Sequence, residues 1–303
     1  MSSAPAIDHP GPIVSQSLPF KEIPVNTLRI EAFTDKDEQE VCAFLSLRPI
    51  HTIFMAGLIR DNGLVSKLNR GTFYGYRNES GVLEGVALLG DKTIIETHNE
   101  AAFEGLTRLA LNNRDPHLIR GEQEQIERFL DYARRHGRTP RLVCDELLLN
   151  QTSPLKGVEG IDGLRPATLD ELEEMININA DMALEENGVH PLKSASEGTY
   201  RRARRRIEQG RVWVLAEQGR IIFKADVISE TPEAIFIEGV YVNPKERGRG
   251  YGFRCLTELG RILLSQAASL CLVVNQTNKR AQALYQKAGY QLHSRYRTVY
   301  FQH

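Results

Sequence analysis

Apolar and polar positions alternate with two different periods along this chain, and the switches between them mark out its elements. Leu28 to Phe33 reads as extended, and Asp35 to Leu47 as helical, with Val41, Phe44 and Leu45 at helical spacing. Three short β-prone runs follow, Thr72 to Arg77, Val82 to Leu89 and Thr93 to Thr97. The turn compositions Asn78 to Gly81 and Gly90 to Lys92 separate them, so the block is an antiparallel meander. Helical spacing returns in Glu100 to Leu111, through Phe103, Leu106 and Ala110, and in Glu122 to Arg135, through Ile126, Phe129, Leu130 and Ala133. Arg141 to Leu149 closes this series as a strand.

Asn150 to Gly163 has little periodicity and is rich in Gly, Ser, Thr, Pro and Asn, which is where a boundary is expected. A second series then begins. Leu164 to Pro166 is extended, Thr168 caps a helix carrying Leu169, Leu172 and Ile176, and Ser196 to Gln209 is helical. Arg211 to Ala216, Arg220 to Ser229 and Ala234 to Val242 form a second meander. A helix over about 250–266, a strand Leu270 to Asn275, a helix over about 279–288 and a strand over about 295–301 complete the chain. The two series share an order of elements without a residue-level repeat, so duplication is inferred from that order alone. The expected organisation is a flexible segment 1–26, a domain 27–150, a linker 151–163 and a second domain 164–303.

Composition alters this picture little. A length of 303 residues suits two domains, and 41% apolar with 25% charged residues is ordinary for a globular protein. A formal charge of −1 gives no general field for nucleic acid or an anionic membrane, so neither is expected as a partner. Cys42, Cys144, Cys255 and Cys271 lack ligand spacing and read as reduced core residues, and no metal is expected. No basic start with an apolar run, and no apolar stretch near about 18 residues, is present, which predicts a cytoplasmic protein.

The chemistry concentrates in Glu238-Gly239-Val240-Tyr241-Val242-Asn243-Pro244-Lys245-Glu246-Arg247-Gly248-Arg249-Gly250-Tyr251-Gly252, which joins a strand to a helix through glycines. Glycines permit a tight turn and close ligand approach, while unpaired N–H groups and the positive end of the helix favour an anion such as pyrophosphate. Arg247, Gly250 and Gly252 resemble the Q/RxxGxG/A signature of the GNAT acetyltransferase family. Downstream, Asn278 to Tyr290 resembles that family's NxxAxxLYxKxGF segment, with Tyr290 in place of the Phe. The resemblance covers about residues 161–303; the first half follows the fold in element order only, with no RxxGxG after Thr93 to Thr97.

That resemblance implies an α/β fold of two tandem GNAT-like domains, each a twisted mixed sheet flanked by helices, the first degenerate. It implies acetyl-CoA as co-substrate and an amine of a small molecule or peptide as acceptor. Amides from Arg247 through Gly248, Arg249, Gly250, Tyr251 and Gly252 would hold the pyrophosphate, and Val240, Tyr241 and Val242 would face pantetheine. Asn278 would contact the pantetheine arm or the helix start. The Tyr285 hydroxyl would lie near the sulfur as a general acid. Glu238, on the strand parity of Val240 and Val242, is the first choice of base, directly or through water, against the alternative of a strand carboxylate paired with a cation.

Lys224 and Asp226 supply such a neighbour or line the acceptor pocket. Glu185 and Glu186 hold a cationic amine or form an exposed acidic turn. The run Arg201, Arg202, Arg204, Arg205, Arg206 reads first as a solvated face and otherwise as a site for an acidic substrate or a CoA phosphate. His51, within the apolar run around Ile50 and Ile53, reads first as structural. Two other functions fit the same residues: an acyl-CoA-binding regulatory module without turnover, and a transferase for longer acyl groups.

Overall fold

The computed structural model describes residues 29–113, 117–187 and 197–301. In the first half, β1 (Ile30–Ala32) leads to helices α1 (Glu38–Leu45) and α2 (Pro49–Asn62). Strands β2 (Gly71–Arg77), β3 (Leu83–Gly90) and β4 (Lys92–Thr97) follow, then α3 (Glu100–Asn113), β5 (Leu118–Glu122), α4 (Gln123–Arg135) and β6 (Pro140–Gln151). The second half repeats this order with β7 (Arg165–Pro166), α5 (Leu172–Asn187), α6 (Glu197–Glu208), β8 (Val212–Glu217), β9 (Arg220–Glu230) and β10 (Ile235–Val242). It closes with α7 (Tyr251–Leu263), β11 (Leu270–Asn275), α8 (Lys279–Lys287) and β12 (Gln291–Phe301).

Both halves start their first helical segment in the same way. Thr34 with Asp37, and Thr168 with Glu171, form reciprocal capping boxes that satisfy donors at the helix start. Two elements escape the sequence pattern. Pro49 does follow the end of α1, but it also opens the 14-residue helix α2, because a proline in the first turn forfeits no intrahelical bond. Strand β5 has Arg120, Gly121 and Glu122 after only two apolar residues, and its pairing with β4 and β12 makes it a strand.

The strands form one sheet in the order β1-β2-β3-β4-β5-β12-β6-β11-β10-β9-β8-β7. Exchanging each strand n with n+6 reverses that order and leaves the pairings intact. β4 runs parallel to β5 as β10 does to β11, and β5 pairs with β12 as β11 pairs with β6. The last strand of each half therefore completes the sheet of the other. At the centre β12 and β6 pair antiparallel from Gln291 opposite Asn150 to Phe301 opposite Pro140.

Side-chain alternation assigns the two faces. Leu149 of β6 joins the core under α7 and α8, while its neighbour Leu148 packs with Ile53 of α2. Val299 of β12 joins the core under α3 and α4, while Tyr296 turns to the α2 side. Helices α3, α4, α7 and α8 thus cover one face, and α1, α2, α5 and α6 the other. The α2 helix reaches across the middle, where Ile53 meets Phe236 and Cys271 of the second half. At Gly57 a Cβ would stand 2.6 Å from the Ser229 Cβ, so only glycine lets α2 approach β9 this closely. Each buried Ile, Leu or Phe contributes about 1.5–3 kcal/mol, so this cross-packing ties the halves in addition to the strand pairing.

Because β6 and β12 are exchanged, neither half holds its own sheet. Cutting the chain within 151–163 should give fragments that aggregate or lack cooperative unfolding, while the intact chain melts in one calorimetric transition. Two soluble, separately melting halves would contradict this.

Candidate functional site

Strands β10 and β11 pair only from Ile235 opposite Leu270 to Ile237 opposite Leu272, and then diverge. Beyond that point β11 continues along β6, with Val273 opposite Leu148, and β10 continues along β9. The gap opens beside Glu238 and leads to the glycine-rich loop. Gly248 and Gly250 have φ of 86° and 85°, and a Cβ on either would meet nothing within 4 Å, so both stand exposed on the loop with their backbone accessible. Gly250 is the N-cap of α7. It offers no side chain to the first amides, and the first turn carries no acidic residue, so donors and helix dipole stay available to an anion. Gly252 serves packing instead. A Cβ there would stand 3.1 Å from Val242 Cγ2 and 3.3 Å from Leu284 Cδ2, so its absence seats α7 tightly on β10.

Basic side chains around this loop are pinned. Arg247 Nε donates to the Val242 carbonyl at 3.1 Å, and its Nη2 lies 3.5 Å from Glu185. Arg249 pairs with Glu246, and the Tyr251 hydroxyl donates to Glu217 at 3.0 Å. These contacts hold the turn open.

The corresponding position in the first half is closed. Only His98 and Asn99 connect β4 to α3. Asn99 Oδ1 accepts from the Ala102 amide at 2.9 Å, and Glu100, paired with Arg128, places an acid in the first turn. Glu122, Glu124 and Glu127 share the same depression with Arg48, Arg128 and Arg295, so its charge is mixed.

Glu238 and Tyr285 lie on opposite faces of β10. Gly239, with φ of 61°, sits in a bulge that puts three steps on β10 against two on β9, between Glu238 opposite Asp226 and Tyr241 opposite Lys224. The bulge reverses the parity expected from sequence. Val240 and Val242 face the α7 core, and Glu238 faces the α5 and α6 side with Phe236. Tyr285 is 8% exposed within the α7–α8 core and meets Tyr290 edge-on at 5.9 Å.

Glu238 Oε1 accepts from Arg120 Nη1 at 3.0 Å, with a third of its side chain exposed. Burial raises its pKa, but the charges of Lys92 and Arg120 outweigh it and hold the carboxyl below its ordinary value. The alternative of a strand carboxylate paired with a cation is therefore realised, with the cation supplied by the other half.

Residues 208–292 match the family of acetyltransferase (GNAT) domains. This segment is a GNAT acetyltransferase domain. The match contains β8 to β11, the glycine loop and α8, and acyl transfer is the class of chemistry such domains perform. Among solved structures, a GNAT-family acetyltransferase from Colwellia psychrerythraea is similar at TM-score 0.58 and 14% identity, over 90% of this chain and 99% of that one. A Drosophila protein is similar at TM-score 0.64 and 14% identity, over 90% and 98%. A tandem GNAT protein from the clavulanic acid biosynthesis pathway is similar at 0.54 and 14%, over 89% and 98%. At this identity they establish the fold: two GNAT-like units over most of the chain. No curated protein sequence matches the chain.

The GNAT domain gives the remaining sequence candidates plain positions. Asn278 caps α8, its Oδ1 accepting from the Ala281 amide at 3.0 Å. Lys224 is fully buried; its Nζ donates to Asp226 Oδ2 at 2.7 Å and Asn179 Oδ1 at 2.6 Å. The pair lies under Gly239, where a Cβ would stand 2.9 Å from Lys224 Nζ, so Lys224 anchors the bulge and lines no open pocket. Glu185 is exposed near the end of α5; the Glu186 side chain and residues 188–196 lie outside the described residues. In the arginine run, Arg204 pairs with Glu208, Arg205 donates to Asn62 of α2 at 2.9 Å, and Arg206 lies 3.4 Å from Asp226. Cys42 is exposed and Cys144 half-buried, contrary to their reading as core residues; burial pushes the thiols of buried Cys255 and Cys271 up to about 12. Among the described residues no helix is long and apolar enough to cross a membrane.

Sequence reasoning expected the first half to support or shape the acceptor site but singled out only His51 from it. A groove under α2 is lined by Lys92 and Arg120, by Phe54 and Phe236, and by His51 and Tyr296. Lys92 and Arg120 belong to different strands of a half that had no motif, so only the sheet brings them to Glu238. His51 Nδ1 lies 2.8 Å from the Tyr296 hydroxyl, and both side chains line this groove.

Burial, opposed by Glu122 and reinforced by Arg48 and His293, lowers the His51 pKa to about 4. Its neutral form is then favoured by folding, so that stability is complete above about pH 6.5 and is lost as pH falls toward 4. The advantage of wild type over His51→Gln in urea unfolding should shrink by about 1 to 3 kcal/mol between pH 7 and pH 4. An advantage constant with pH would show that His51 is not held neutral.

Proposed function

We propose that the chain is an N-acetyltransferase, moving an acetyl group from acetyl-CoA to an amine by direct transfer at the β10–β11 gap. The contrast between the two helix starts carries this reading. At α7 the amides are uncapped, the loop is open and the first turn carries no acid; at α3 a side chain caps the amides and Glu100 stands in the first turn. A CoA pyrophosphate fits the first arrangement and is excluded from the second.

In this reading amides from Arg247 to Gly252 bind pyrophosphate, and the backbone of Val240, Tyr241 and Val242 faces the pantetheine arm and the developing oxyanion charge. The amine nitrogen forms its bond to the acetyl carbon as the carbon–sulfur bond breaks. Glu238 receives the amine's proton through water on the α5–α6 side, and the Tyr285 hydroxyl protonates the departing thiolate on the other face. Their placement on opposite faces of β10 supports this division. Asn278 acts through the start of α8, while Lys224 and Asp226 shape the bulge. Glu185 holds Arg247, which leaves the acceptor to the side of Glu238.

Calorimetric titration of CoA should find one site per chain, and Gly250→Asp should weaken it at least tenfold, since the added carboxylate meets the anion and strains a left-handed backbone. Two equivalent sites, or unchanged affinity in a folded Gly250→Asp, would remove the reading. Saturable CoA binding with no turnover across a broad amine panel would favour the regulatory module instead.

Glu238→Gln and Tyr285→Phe should keep CoA affinity and lose turnover by roughly 10²- to 10⁴-fold. Because Lys92 and Arg120 hold Glu238 ionised, its limb in kcat/KM lies below about pH 4.5. Glu238→Gln should therefore lower the rate by a similar factor across pH 6 to 9. Normal turnover in Glu238→Gln would make Glu238 a structural ion-pair partner of Arg120.

A further inference from the structure

The groove under α2 has an uneven distribution of charge. At its far end Arg48 bridges Glu96 at 3.0 Å and Glu122 at 2.8 Å, so cation and carboxylates answer each other. At its near end, beside the β10–β11 gap, Arg120 reaches both Glu238 at 3.0 Å and Glu146 at 3.5 Å. Lys92 differs from these. Its ammonium stands 4.3 Å from the centre of the Phe54 ring, and among the described residues no carboxylate lies within ion-pair distance of it. Burial acts against its charge and lowers its pKa, the field of Glu238 being the main opposing influence. The walls between the two ends are apolar, with Ile53, Phe54, Ile94 and Phe236 among them.

A ligand satisfying all three features has an amine, a carboxylate and an apolar body. The amine belongs at Glu238, beside the gap where transfer is assigned. An anionic group belongs on Lys92 and Arg120, where it supplies the direct ion-pair contact that Lys92 lacks. The apolar body belongs along the α2 wall, out of water. A single carboxylate suits the site better than a phosphate dianion, because Glu238 and Glu146 already balance Lys92 and Arg120 and the ligand's own amine answers only one further negative charge.

We infer that the acetyl acceptor is a small apolar amino acid, its amine toward Glu238, its carboxylate on Lys92 and Arg120, and its side chain in the groove under α2. The inference rests on the acetyl-transfer reading for the role of the amine, and on the groove alone for recognition of the acid. It assigns the first half a function, since Lys92, Arg120 and Phe54 all come from it.

Binding separates the two. Full-length protein without CoA is titrated with N-acetyl derivatives of leucine, methionine, phenylalanine and tryptophan, each as free acid and as amide. At least one acid should bind ten-fold or more tighter than its amide. Lys92→Met should remove that preference with less than three-fold change for the amide, and Lys92→Arg should restore most of it; melting curves confirm folding of both. The same acid–amide preference should appear in kcat/KM for the free amines. Equal binding of acids and amides, no binding of any acid, or a preference that survives Lys92→Met in the folded protein would overturn the inference. Lys92-dependent acid binding without any CoA-dependent transfer would sink the acetyl-transfer reading and overturn the acceptor role with it, leaving the groove a carboxylate-binding site. Transfer to amides and acids alike would overturn the inference and keep the acetyl-transfer reading.

Discussion

The antiparallel pairing of β6 with β12 is the contact on which the remaining structure depends. Each strand belongs by sequence to one half and completes the sheet of the other, so hydrogen bonds from both meet along one line. Two separate sheets would each expose an edge at β5 and β11, with unpaired backbone groups. The exchange removes both edges and fixes the angle between the halves. It also lays α2 over strands of the second half, which turns the seam into a groove with side chains from both sides.

One fold used twice shows what the fold alone does not provide. Both halves have parallel strands that separate after a few pairs, β4 from β5 and β10 from β11. The connections from β4 and β10 to the next helix differ in length and chemistry. A loop from Asn243 to Gly250 leaves the α7 amides uncapped, whereas two residues and an Asn99 cap close the start of α3. Uncapped donors and a first turn without acids are present at one position, and both are reversed at the other. The first half, closed at this position, supplies Arg120 and Lys92 to the surroundings of Glu238.

Around Glu238 the electrostatics run across the seam. Arg120 and Lys92 overcome the effect of burial and keep the carboxylate charged, and Lys224 and Asp226 form a buried pair beneath the Gly239 bulge. A pair such as Arg120 and Glu238, partly exposed, contributes little to stability by itself, typically about 1 kcal/mol or less. Its consequence is orientation: it holds the carboxylate toward the groove, on the face opposite Tyr285.

Sequence determined the elements that depend on local chemistry. Periodicity placed both meanders, α3, α4, α7 and β11, and the capping residues Thr168 and Asn278 act where their residue types require. The spacing of Arg247, Gly250 and Gly252 marked the loop, because positive φ and close helix packing can be satisfied there only by glycine. The tertiary structure alone decided what depends on partners distant in the chain. Strand β5 forms through its neighbours, and Pro49 begins a helix whose apolar face needs the second half to cover it. One extra residue at Gly239 reversed the direction of Glu238, since a bulge is set by pairing with β9 and leaves no mark in the alternation of a short strand. Lys92 and Arg120 reach Glu238 from 146 and 118 positions away in sequence, a proximity created by the exchange of two strands and by nothing local to any of the three residues.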